Sequence, residues 1–173
     1  MMKNSRFPIS RLEKLHYNWV ESLKAELINS LRLPFSINGM SGRELYVITP
    51  IVDNVSSMKQ ESGFFESVRS LFRENNVNLY IVAESKLNIV SNQYGILCYS
   101  ATLENEIATF TRYTVDKNSK SFRFGKTENI VFDELPFRLL LNKKNPLIFS
   151  KNEAEDLLKL NHIILTTNLL NSH

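Results

Sequence analysis

Between Val77 and Glu134 the chain breaks into short segments rich in branched and aromatic residues: VNLYIVAE, LNIVS, YGILCYSATL, EIATFTRYTV, SFRFG and NIVFDE. Polar links such as SKLN, SNQ, TLENE and DKNSK separate them. Links this short join neighbouring antiparallel strands, whereas a parallel pair needs a crossover long enough to hold a helix. No helix-sized segment interrupts the run. The span therefore predicts an antiparallel β-meander of about five or six strands.

Helical signals flank it. Ser10 with Glu13 has capping-box spacing, and Ile9, Leu12, Leu15, Trp19, Leu23, Leu27 and Leu31 follow as one apolar stripe ended by Pro34. The stripe predicts an N-terminal helix with Trp19 and Leu23 buried against the sheet, and His16 at the stripe's edge. SINGMSG (36–42) reads as a loop, and LYVITPIV (45–52) as a strand ended or bent by Pro50. A second helix is expected near 64–75, with Phe65, Val68, Leu71 and Phe72 inward and Asn75 and Asn76 as its stop. FRLLLNKKN, between Pro136 and Pro146, is a short helix or an irregular connection. Ser150 and Glu153 open a C-terminal helix whose face would use Ala154, Leu157, Leu158, Asn161, Leu165 and Leu169. HIIL (162–165) can also be read as an edge strand, so helix and strand both stay open for 162–170. The expected class is α+β, an antiparallel meander packed by three helices.

Length and composition set the remaining bounds. With 173 residues, 43% hydrophobic and 23% charged, one globular domain over 1–173 is expected, its first few residues and 53–62 being mobile. Cys98 is the only cysteine, so no internal disulfide forms, and a reducing, cytoplasmic setting fits best. MMKNSRFPIS lacks the apolar core of a signal peptide, and no run has the roughly 18 apolar residues of a membrane span. A net charge of +3 is only mildly basic.

Catalytic signatures are few. GKT at 125–127 resembles the end of a phosphate-binding loop, but Lys120 stands where that motif needs glycine, and no helix follows. His16, His162 and His173 have no second ligand at metal spacing, so neither metal nor cofactor is expected. Cys98 lies in an apolar strand and reads as a buried thiol. Glu104 with Glu106, and Asp133 with Glu134, are carboxylate pairs at strand ends, where most such pairs face water. The chain is therefore not expected to be an enzyme.

Two regions carry functional expectations. In FTRYTVDKNSKSFRFGK (110–126) aromatic and basic residues alternate about a polar turn. Pairing Val115 with Lys120 would put Tyr113 and Phe122 on one side and oppose Arg112 to Arg123 on the other. Arg112, Lys120, Arg123 and Lys126 are then candidates to grip an anion or nucleic acid, although the order of an RNA-recognition signature is absent. In the tail, apolar residues exceed what one packed helical face needs, so Ile163, Ile164, Leu169 and Leu170 are candidates to meet another chain. A non-catalytic protein-binding module leads: an adaptor, an inhibitor or a chaperone-like element, meeting another protein or a second copy. A nucleic-acid-binding accessory protein follows, and a small sensor or enzyme with a pocket in the sheet comes third. No membrane partner is expected.

Overall fold

The computed structural model describes residues 9–50, 63–88, 93–116, 118–144 and 146–168. Helix α1 (Ile9–Ser30) leads into strands β1 (Ser36–Ser41) and β2 (Glu44–Pro50), helix α2 (Phe64–Glu74), and strands β3 (Leu79–Asn88), β4 (Gln93–Thr102), β5 (Glu106–Val115) and β6 (Phe122–Asn129). Helix α3 (Lys151–Asn161) and strand β7 (His162–Asn168) close the chain. All pairings are antiparallel, in the order β6-β5-β4-β3-β1-β2-β7. The α+β class, the meander β3–β6 and the three helices are as expected. The first residues and 53–62, expected to be mobile, lie outside the described residues.

Both faces of the central strands are covered. Ile81, Ala83, Ile96 and Cys98 pack beneath α1 with Val20, Leu23 and Leu27. Tyr80, Val82, Leu97 and Tyr99 pack on the other face with Val68, Leu71 and Phe72 of α2, Leu158 of α3, and Phe137 and Leu140 of the connection after β6. Each large side chain so buried contributes about 1.5–3 kcal/mol, which makes this double layer the main source of stability. Helix α1 stops short of the far end of its face, where Trp19 and Leu23 border a groove of about 370 Å³ with Val47 and Thr49 of β2.

Several local expectations are corrected. Residues 36–41 form β1 rather than a loop, paired with both β2 and β3, and the turn falls at Gly42, whose φ is 56°. SKLN does not turn: β3 runs through it to Asn88, still paired with β4, and 89–92 lie outside the described residues. Strand β6 ends at Asn129, and 130–135 instead lay Ile130, Phe132 and Leu135 against the core as an irregular segment. On α1 the buried line is Leu12, His16, Val20, Leu23 and Leu27; Leu15 and Trp19 are half-buried, while Ile9 and Leu31 are exposed. The sequence stripe drifts round the helix because 3.6 residues per turn does not hold every third or fourth residue on one line over six turns.

Ser10, read as opening α1, lies inside it, but the end of α2 and the start of α3 follow their signals. Asn76 takes φ 53°, and the Asn76 and Val77 N–H groups donate to the Arg73 and Phe72 carbonyls, the double bond of a Schellman end. Ser150 Oγ accepts the Glu153 N–H at 3.3 Å, capping α3. Leu157, expected on the buried face of α3, is exposed; Ala154 and Leu158 are buried. The C-terminal helix expected to include Leu165 stops at Asn161, and β7 follows. Two β-branched pairs, Ile163–Ile164 and Thr166–Thr167, favour strand over helix there.

Two glycines mark close approaches. A Cβ at Gly39 would lie 2.6 Å from the Phe72 ring, and one at Gly95 would lie 1.9 Å from the Phe110 ring. Gly95→Ala should therefore cost about 1–3 kcal/mol by overpacking. Phe110→Leu in the same chain should recover part of that loss, as read by urea unfolding.

Candidate functional site

The 110–126 hairpin is real, but its register differs from expectation. Asp116 Oδ1 accepts the N–H groups of Asn118 and Ser119 at 2.8 and 3.3 Å, and the Asp116 N–H donates to the Ser121 carbonyl at 3.0 Å. This side-chain-capped turn takes 116–121 out of the ladder. Pairing therefore begins at Val115 with Phe122, and places Tyr113 opposite Phe124. The slip is by two residues, so the two sides keep their membership. Arg123 stands opposite Thr114, however, and not opposite Arg112, which falls at a bulge where β6 carries the extra residue.

The aromatic side faces α1. Tyr113, Phe122 and Phe124 contact one another with ring centroids 5.7–6.1 Å apart and join the core beneath the helix, and Lys24 Nζ caps the Phe124 ring at 5.6 Å. Tyr113 is buried there, and Phe122 and Phe124 are half-buried, which leaves little ring face for base stacking. On the opposite face Arg112 and Arg123 are exposed, as are Lys120 in the turn and Lys126 at the bulge.

The tail candidates are split. Ile163 and Ile164 lie on β7, opposite Thr49 and Ile48 of β2. Leu169 and Leu170 lie outside the described residues. Among the described residues strand β7 is one edge of the sheet and β6 the other. The edges differ in chemistry: β6 (FRFGKTEN) carries Arg123, Lys126 and Glu128, whereas 162–173 contains no Lys, Arg, Asp or Glu.

Two clusters were not anticipated. Under α1, His16 lies between Ser100 of β4 and Thr109 of β5, with Nδ1 2.6 Å from Ser100 Oγ and Nε2 2.7 Å from Thr109 Oγ1. Cys98 Sγ is 3.9 Å from Nδ1. The Ser–His distance suits nucleophile and base, but His16, Ser100 and Thr109 have no solvent-exposed surface, so no substrate reaches them. Burial lowers the His16 pKa to about 4 and raises the Cys98 thiol to about 12. The cluster is a neutral, satisfied polar tie between helix and sheet.

On the other face, at the β4–β5 turn, a cleft of about 400 Å³ opens between Leu103 and Leu139, with Tyr80 and Tyr99 beneath it and Lys143 and Lys144 at its rim. Tyr80 Oη donates to the Phe137 carbonyl at 2.7 Å and accepts the Leu140 N–H at 3.2 Å. Tyr99 Oη donates to Glu106 at 2.5 Å, and Arg138 holds Glu106 through two nitrogens at 2.8 and 3.0 Å. Burial pushes the Tyr80 hydroxyl up to about 12; burial, Tyr80 and Glu106 together hold Tyr99 far above its usual value. Glu106 is thus tied into a network, unlike the solvent-facing carboxylate expected. The one sequence signal for this cleft was LLLNKK, since three consecutive leucines cannot all turn inward: Leu140 and Leu141 are buried and Leu139 is exposed. The tyrosines are distant in sequence and gave none. Among the described residues no three metal-ligating side chains gather, and no helix is long and apolar enough to cross a membrane.

No protein-family model, no curated protein and no solved structure matches the chain.

The His16 tie predicts a pH dependence. Unfolded, the imidazole takes a proton near pH 6.5; folded, it resists until about pH 4. Its contribution is present above pH 6.5 and is lost as pH falls between these values, by about 1.4 kcal/mol per unit. The stability advantage of wild type over His16→Gln should therefore shrink from pH 7 to pH 5 in paired urea titrations.

Proposed function

We propose that this chain is a non-catalytic protein-binding module, adaptor-, inhibitor- or chaperone-like, whose partner docks at the C-terminal edge of the sheet. The observation that carries the reading is the contrast between the two edges. An open strand edge is a template for a further strand, and charges are the usual guard against unwanted pairing. Strand β6 has that guard and β7 lacks it. A partner adding a strand beside β7 would gain main-chain hydrogen bonds from the edge and specificity from neighbouring side chains. Ile163 and Ile164 are the proposed interface residues within β7; Leu169 and Leu170, which follow in the sequence, are proposed with them. The groove between Trp19 and β2, one strand in from this edge, offers adjoining surface. The sealed His16–Ser100 pair and the unreactive Cys98 thiol support a role in binding rather than chemistry. A reducing, cytoplasmic setting accords with that free thiol.

A second reading, a nucleic-acid-binding accessory protein, is favoured by Arg112 and Arg123, which are exposed on one face of the hairpin. It would act by phosphate contact without stacking, so Arg112→Ala with Arg123→Ala should weaken binding to a single-stranded oligonucleotide and flatten its salt dependence. Absence of binding in low salt, read by anisotropy, removes this reading.

For the leading proposal, lysine at Ile163 or at Ile164 puts a charge on one or the other face of β7. At least one variant should keep a cooperative melt while losing self-association in sedimentation or losing a discrete protein that wild type captures. A wild type that stays monomeric at high concentration and captures nothing the variants fail to capture overturns the proposal.

A further inference from the structure

We infer that the cleft between the 102–105 turn and residues 139–144 binds a small amphipathic anion, a carboxylate or sulfonate carried on an aromatic or aliphatic body. Its volume of about 400 Å³ falls within the range of small-ligand sites. The apolar surface open to a ligand is that of Leu103 and Leu139; Tyr80 and Tyr99 are fully buried, with their hydroxyls committed to Phe137, Leu140 and Glu106. The two rings lie 5.8 Å apart, centroid to centroid.

Leu139 is the decisive wall residue. It adopts φ 62°, a left-handed conformation that favours glycine or asparagine, yet it is 45% exposed. A bulky apolar side chain held there does little for the core. Strain of this kind persists only where neighbouring structure enforces it, and such residues gather at binding sites. Here Tyr80 clamps 137–140 from below, and Arg73 Nη2 donates to the Asn142 carbonyl at 2.8 Å. Leu103, 57% exposed, lines the same cleft. The cleft is therefore shaped before any ligand arrives, which lowers the ordering cost of binding.

The rim sets the charge of the ligand. Glu106 is paired with Arg138 through two nitrogens, and Glu104, exposed on the same cleft, makes an interaction of its own. Lys143 and Lys144 are exposed on the same rim, with no ion pair among the described residues. The two lysines therefore lie beside the exposed apolar walls formed by Leu103 and Leu139. An anionic head on the lysines with its body against Leu103 and Leu139 satisfies both. The site stands apart from β7 and does not depend on the protein-binding proposal.

The test is an amide NMR titration with 2-naphthoate, compared with its neutral amide, 2-naphthamide. Naphthoate should shift amides of 101–105 and 139–144 saturably, and naphthamide should bind about five- to tenfold more weakly, the worth of one or two screened ion pairs. Lys143→Glu with Lys144→Glu should bring naphthoate down to the level of the amide. Leu139→Gly should weaken both probes while leaving the melting temperature unchanged or higher, since glycine relieves the backbone. Shifts absent from these amides, equal affinity for the two probes, or a lower melting temperature in Leu139→Gly would each overturn the inference.

Discussion

Burial of β3 and β4 on both faces is the constraint on which the rest depends. Ile81, Ala83, Ile96 and Cys98 require α1 above them; Tyr80, Val82, Leu97 and Tyr99 require α2, α3 and the 130–142 connection below. An antiparallel sheet often leaves one face to water, but here neither central face is polar enough to do so. The three helices, and the irregular path that carries Phe137 and Leu140, follow from that need. The buried polar groups follow as well. His16 can be buried on the sheet-facing side of α1 only because Ser100 and Thr109 complete its hydrogen bonds, and Tyr99 can lie within the lower layer because Glu106 accepts its hydroxyl hydrogen bond.

Much of this was legible in the sequence because it rests on local chemistry. The meander showed in its short polar links, the end of α2 in Asn75–Asn76, and the start of α3 in Ser150. The misreadings share one cause: the deciding partner is distant in sequence. SINGMSG looks like a loop until β2 and β3 supply both of its neighbours. SKLN looks like a turn until β4 pairs through it. His16 lay at the edge of a stripe, and its partners Ser100 and Thr109 are distant in sequence. The hairpin register was set by a side chain, Asp116 bonding two backbone N–H groups, which alternation of residue types does not reveal. Helix or strand at 162–168 was undecided locally, and the open edge of β2 resolved it.

The candidate sites were less legible than the fold, for the same reason. The basic hairpin was visible, but which of its sides faces α1 was not. Once α1 covers Tyr113, Phe122 and Phe124, a surface suited to stacking becomes a surface of isolated cations. The β4–β5 cleft draws its tyrosines from two strands and its lysines from a segment about sixty residues beyond Tyr80. Only the exposed leucine in LLLNKK hinted at it. The tail was the reverse case: an excess of apolar residues was visible, and the topology supplied a reason for it by making 162–168 an edge.

The central functional claim is that the two sheet edges have different fates, with β7 meeting another chain and β6 meeting water. Amide hydrogen exchange reads this residue by residue, because pairing with a new strand slows exchange along the edge that receives it. Measured on dilute protein, then on concentrated protein or on the complex with a captured partner, protection at 162–168 should rise while 122–129 stays unchanged. Protection at 162–168 that is the same in all states, or a rise confined to 122–129, would contradict the account.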